Sequence, residues 1–160
     1  MVDAVKLWLD AECAEQIRAH GVETYPHECC GALFGRDGAS GKPREIVEVF
    51  RLVNRRDDSP ENRFSVSARD VLAAEREADA RGLGVVGWYH SHPDHPARPS
   101  EFDRQHAWPW YSYIILSVEK GVARQMRSWQ LREDRTGYLE EEVAEVKDVK
   151  EVKEPRSKSV

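Results

Sequence analysis

The chain has 160 residues, 40% apolar and 33% charged, with a net charge of −5 from 24 basic and 29 acidic side chains. That length suits one domain with its own core, and the acidic balance weighs against nucleic acid as the main partner. No apolar run approaches the roughly 18 residues needed to span a bilayer, and the first residues lack the charged start and long apolar centre of a signal peptide.

The predicted elements alternate along the chain. Lys6-Leu7-Trp8-Leu9 reads as a first strand, and Asp10 can cap a helix running to about His20, with Gly21 as its stop. Residues 30–34 are small and apolar, as in a buried strand. A glycine-rich turn follows over 36–42. Residues 45–53 carry apolar side chains on both faces and read as a central strand. A polar loop spans 54–63. Ser67 and Asp70 resemble a capping box with Asp in place of the usual Glu, opening a helix over 68–81 with Val71, Ala74 and Ala78 on one stripe. A strand over 84–92 and a short helix from Ser100 to about Trp108 come next. Strands are expected over 111–118 and 122–131, and a last one over 138–146. Residues 148–160 are charged and lack a core face, so they read as a disordered tail. The three cysteines, Cys13, Cys29 and Cys30, are an odd number with two adjacent. That is a poor disulfide framework, and a reducing cytoplasm is the expected compartment.

The chemistry concentrates between residues 90 and 103. His90-Ser91-His92 ends the apolar run Gly84-Val85-Val86-Gly87-Trp88-Tyr89. Histidines at i and i+2 share one face of a strand, so both imidazoles can address one ion. Prolines at 93, 96 and 99 make the next segment turn-rich. Ser100 suits a helix N-cap, and Asp103 then falls in the first turn, from which its carboxylate can fold back. Two nitrogens and one carboxylate oxygen form the three-ligand set of a catalytic zinc, whose fourth position is kept for water or substrate. Plainer readings stand beside these. A bare histidine pair is often a core-edge feature, Asp103 is favoured in a first turn by the helix dipole alone, and Ser100 can simply be a cap. Glu28 stands directly before an apolar strand, where burial would raise its pKa as a general base needs; the alternative is an exposed loop carboxylate.

His-x-His, seven residues, Ser, two residues, Asp resembles the signature of the JAMM, or MPN-plus, zinc metalloproteases at every position of the motif. The stretch Tyr25-Pro26-His27-Glu28-Cys29-Cys30-Gly31-Ala32-Leu33-Phe34-Gly35 is similar to the small bacterial members, with Glu28 matching the family's upstream glutamate. The resemblance runs from about residue 5 to about residue 147. It implies an α/β, single-domain MPN fold over residues 1–147, a mixed central sheet flanked by helices and similar to cytidine deaminases. It implies one zinc per chain on His90, His92 and Asp103, Glu28 as general base, and a Ser100 hydroxyl that helps stabilise the oxyanion.

Other constellations are weaker. His27-Glu28-Cys29-Cys30-Gly31 begins like His-Glu-x-x-His, but Gly31 holds the fifth position and the zincin reading fails. A zinc deaminase requires a Pro-Cys-x-x-Cys partner that this chain lacks. Cys29 and Cys30 read as buried small hydrophobes. His20, His27, His95 and His106 read as non-ligands, with His95 nearest the site. Trp108-Pro109-Trp110-Tyr111 reads as core and rim packing.

By resemblance the reaction is hydrolysis of an amide or isopeptide bond after the C-terminal Gly-Gly of a ubiquitin-like protein. For a bacterial-looking member, that partner is expected to be a sulfur-carrier protein or its C-terminal adduct. Only glycines let an extended tail pass close to the zinc floor. The alternatives are a zinc hydrolase of small amides or peptides, and an inactive MPN scaffold, which the presence of every functional residue opposes. With no recruiting domain in the chain, residues 54–63 and 93–99 are expected to hold the carrier. Arg55, Arg56 and Arg98 either meet it there or are ordinary solvated charges. Nucleic acid and membrane are not expected partners, and oligomeric state is not legible.

Overall fold

In a computed structural model of the chain, residues 6–53 and 66–149 are described. They form β1 (Leu7–Asp10), α1 (Ala11–Thr24), β2 (Cys30–Arg36), β3 (Arg44–Leu52), α2 (Ala68–Ala80), β4 (Gly84–Pro93), α3 (Glu101–His106), β5 (Ser112–Glu119), β6 (Val122–Leu131), β7 (Tyr138–Glu141) and β8 (Val143–Val146). The strands make one sheet in the order β7-β6-β5-β4-β2-β3-β1-β8. It is mixed, as expected: β1 runs parallel to β3 and β8, and β4 parallel to β5.

The sheet curls on itself. β7 and β8 occupy opposite edges, yet one residue, Glu142, separates them. Consecutive Cα atoms are only about 3.8 Å apart, so the two edges must meet there. The Glu142 carbonyl accepts from the Lys6 and Leu7 N–H groups at 3.0 and 3.2 Å. The single strand expected over 138–146 is therefore two strands with different partners, Tyr138–Glu141 on β6 and Val143–Val146 on β1. Hydrophobic alternation carries no mark of that change.

α1 lies in the hollow of the curl, touching β1, β3, β4, β5, β6 and β8. Its buried Cys13, Ala14 and Ile17 pack with Leu33, Ile46, Tyr89, Ile114, Leu116 and Val118. Asp10 caps it, accepting from the Glu12 N–H at 3.2 Å. Gly21 does not end the helix. It is buried within it, where a Cβ would lie 2.6 Å from Leu116 Cδ2 and 3.1 Å from Val118 Cγ2. The helix stops at Thr24 because Tyr25 precedes Pro26 and is driven to extended backbone.

α2 covers the outer face, where Ala74 and Ala78 pack near Ala32, Phe34 and Trp88. The Ser67–Asp70 capping box is complete in both directions. α3 ends at His106, two residues before the expected Trp108, since Trp108 precedes Pro109 and is disfavoured in the helical region. At the C-terminus Val149 is buried and its N–H donates to Asp10 Oδ1 at 2.9 Å. Residues 150–160 of the expected tail lie outside the described residues. No helix among the described residues is long and apolar enough to cross a membrane.

Candidate metal centre

Strand alternation decides which side chains can meet. Trp88 belongs to the outer core and Tyr89 to the inner one, so His90 and His92 share the outer face and Ser91 points inward. Three prolines then carry the chain through a turn to Ser100, which caps α3. Ser100 Oγ accepts from the Asp103 N–H at 3.0 Å, and Asp103 Oδ2 accepts from the Ser100 N–H at 2.8 Å. This capping box turns the Asp103 carboxylate back toward the strand.

The three side chains converge. His90 Nε2 and His92 Nε2 lie 3.2 Å apart, and Asp103 Oδ2 is 3.4 Å from the first and 3.2 Å from the second. All three are buried. Among the described residues they form a group that could hold a metal ion. The donor set fits zinc in size as well as kind. Ligands about 2.0–2.1 Å from a tetrahedral centre stand about 3.3 Å from one another, which is the spacing seen here. His92 Nδ1 lies 2.8 Å from the Pro96 carbonyl. In a neutral imidazole that bond puts the proton on Nδ1 and leaves the Nε2 lone pair facing Asp103. Two lone pairs 3.2 Å apart repel unless a cation stands between them.

Charge follows the same arrangement. Burial pushes the Asp103 carboxyl up, but the adjacent His90 and His92 outweigh it and hold it well below the carboxylate range. Burial pushes the His90 imidazole down, against the pull of Asp103. Both shifts keep the form that can bind metal, a carboxylate and a neutral ring.

Glu28 lies two residues before β2, the strand that pairs with the one carrying both histidines. β2 pairs antiparallel with β4, with Cys30 opposite His90. Ser91 N–H donates to the Cys29 carbonyl at 3.2 Å, carrying the pairing one residue further. Glu28 immediately precedes Cys29, one residue before this tie to the strand that carries the histidines. Glu28 is 4% exposed, so it is a buried carboxyl rather than an exposed one.

The remaining sequence candidates separate cleanly. His20 is buried on the inner face, 2.7 Å from the Tyr89 hydroxyl. His27 and His95 are exposed, and neither belongs to the converging group. The cysteines are free and buried, and burial pushes the Cys29 thiol up to about 11, as suits an inert packing residue. Arg98 is exposed, while Arg55 and Arg56, with the loop over 54–63, lie outside the described residues. Sequence reasoning missed how the aromatic stretch is used. Trp108, Pro109 and Tyr111 line a pocket of about 710 Å³ together with Val71, Trp88 and Tyr113. His106 and Tyr113 also line the small cavity beside His90 and Asp103. Proline spacing alone could not reveal that the two hollows adjoin.

A curled mixed sheet around one helix, with His90, His92 and Asp103 on its outer face, is the architecture expected of a JAB-type domain. The family model for prokaryotic homologs of the JAB domain matches residues 10–132, and the chain belongs to that family. It is 30% identical over 119 residues to the desampylase of Haloferax volcanii, covering 71% of this chain and 82% of that one. It is 30% identical over 113 residues to a probable TtuB-protein conjugate cleaving protease of Thermus thermophilus, covering 71% of each. The solution structure of a protein from Desulfitobacterium hafniense superposes with a TM-score of 0.78 at 33% identity, over 91% of this chain and 97% of that one.

Proposed function

We propose that this chain is a zinc metallopeptidase that hydrolyses an amide or isopeptide bond after the C-terminal Gly-Gly of a ubiquitin-like protein, with a sulfur carrier or its C-terminal adduct as substrate. The convergence of His90 Nε2, His92 Nε2 and Asp103 Oδ2 within 3.4 Å carries this reading. Similarity to a desampylase and to a conjugate-cleaving protease supports the substrate class.

His90, His92 and Asp103 would hold the zinc, which when bound would supply Lewis acidity toward a carbonyl and toward water. The chain's own groups do the rest. Glu28, a buried carboxyl close in sequence to the strand tie at Cys29, would take a proton from water and later deliver it to the leaving amine. Ser100 is exposed at the rim. Its oxygen accepts from the Asp103 N–H through a lone pair, so its own hydrogen remains free to donate to the developing oxyanion. Capping and catalysis thus use different parts of one hydroxyl. No side chain is required as nucleophile, in keeping with buried, high-pKa Cys29.

The second reading, a hydrolase of small amides, makes a different demand. A carrier-specific enzyme uses the folded body to orient the scissile bond. The zinc-loaded protein should cleave an amide placed after Gly-Gly on an intact ubiquitin-like protein far faster than the same tail as a free peptide. Equal kcat/KM for both would reject carrier recognition.

A further inference from the structure

The His-x-His motif contains one residue that the reaction leaves without a task, Ser91. Its side chain points away from the two imidazoles, toward the inner core. It is fully buried, and the position a Gly21 Cβ would take on α1 is 3.5 Å from its Cβ. It therefore cannot touch the metal ligands' donor atoms or a substrate. What it does touch is the backbone just behind Glu28.

Ser91 and Cys29 share two hydrogen bonds. The Cys29 N–H donates to Ser91 Oγ at 2.9 Å, and the Ser91 N–H donates to the Cys29 carbonyl at 3.2 Å. β2 itself begins only at Cys30, opposite His90. Cys29 thus lies ahead of the ladder, yet both its backbone polar groups are bound by a single residue. Buried backbone groups require such partners, and here the partner stands between the two histidines. Tyr89 adds a second tie on the same face: its ring lies so close over Gly31 that a Cβ there would be 2.2 Å from Cε2.

We infer that Ser91 is a positioning residue that fixes the Glu28 backbone in register with His90 and His92. The inference rests on the proposed role of Glu28 as general base. A side-chain hydroxyl is needed because the ladder has ended and the main chain of β4 offers Cys29 only its N–H. Without Oγ the Cys29 N–H loses its acceptor, the start of β2 gains freedom, and the carboxylate drifts from the proton it must take. A displacement of about 1 Å at a reacting group can lower the rate about 100-fold.

The test uses the full-length, zinc-loaded protein and a Gly-Gly amide substrate on an intact ubiquitin-like protein. Ser91→Ala should lower kcat roughly 10- to 100-fold with KM and zinc content unchanged, and Ser91→Thr, which keeps the oxygen, should restore most of it. Cys29 amide exchange should be protected in the parent and accelerated in Ser91→Ala. Because Ser91 acts through Glu28, Ser91→Ala added to Glu28→Gln should lower kcat no further, a non-additivity expected of residues acting as one unit. Should Ser91→Ala fail to fold, Ser91→Cys keeps the volume with a poor acceptor and should show the same loss. Full kcat in Ser91→Ala beside an inactive Glu28→Gln overturns the inference, as does zinc loss in Ser91→Ala or a fully multiplicative double variant. Full activity of Glu28→Gln instead overturns the reading of the base.

Discussion

His92 Nδ1 bonds to the carbonyl of Pro96 at 2.8 Å, so a residue four positions along the turn orients one of the two imidazoles. The proline holds its own φ near −65°, which removes one of the two backbone rotations that set the carbonyl's direction. The turn-rich segment after the motif therefore helps to orient the group that could hold a metal.

Metal retention follows from this arrangement. The purified protein should hold about one zinc per chain, and His90→Ala, His92→Ala or Asp103→Ala should each remove it, since two donors remain. Pro96→Gly keeps every ligand but releases the orienting carbonyl. Loss of an outer partner of this kind typically weakens metal binding about 10- to 100-fold. Competition with a chromogenic chelator measures it, and unchanged zinc content in the histidine variants would reject the site.

Ser100 allows capping and oxyanion stabilisation to be pulled apart. Replacing an N-cap serine by glycine costs only a few tenths of a kcal/mol, whereas alanine costs about 1 kcal/mol. Ser100→Gly should hold the thermal midpoint close to the parent while kcat falls roughly 10- to 1000-fold, the range for one lost oxyanion donor. KM should change less, because that bond strengthens only in the transition state. Normal kcat in Ser100→Gly would leave the residue with its capping role alone.

His20 should give the fold a pH dependence separate from the metal centre. Burial, then the nearby positive Arg51, lower its pKa from 6.5 to about 4, while Glu23 acts the other way. Its ring lies 2.7 Å from the Tyr89 hydroxyl. Above pH 6.5 the ring is neutral in folded and unfolded chains, and stability is complete. As pH falls from 6.5 toward 4, the unfolded chain takes up a proton that folded His20 refuses. Stability then drops, by about 3 kcal/mol at most from a shift of this size. Urea unfolding of His20→Gln, which cannot titrate, should show a flatter profile across that window than the parent. Identical slopes would show that His20 is not held neutral.

Most of the group that could hold a metal was legible in the sequence, because its geometry is local. His90 and His92 are two residues apart on a strand, and Ser100 and Asp103 are three apart across a helix start, so spacing alone puts the two rings on one face and turns the carboxylate back. Glu28 was legible from its place before an apolar strand, and its burial bears that position out; its assignment as the base came from family resemblance, because the pairing of β2 with β4 joins segments far apart in the chain. What escaped was longer in range. The change of strand partner at Glu142 depends on the sheet curling until its edges meet. The pocket under Trp108 and Tyr111 depends on how the chain beyond α3 folds against α2 and β4.

Gly21 is the sharpest case of a local rule overridden by packing, and it makes a prediction of definite sign. As a helix stop, glycine would be chosen for its backbone freedom. Inside a helix, replacement by alanine would ordinarily stabilise by roughly 0.5–1 kcal/mol. Here the added Cβ would come within 2.6 Å of Leu116 Cδ2 and 3.1 Å of Val118 Cγ2, both in the inner core. Overpacking a well-filled core costs about 1–3 kcal/mol, which exceeds the gain in helix propensity. Gly21→Ala should therefore lower the urea midpoint, with a net loss of about 1 kcal/mol after the propensity gain is set against the clash. Zinc content should hold, because the contacts lie on the inner face of the sheet and the ligands on the outer one. A raised midpoint would mean that Leu116 swings aside at little cost and that the close approach of α1 to β5 is not what requires glycine at this position.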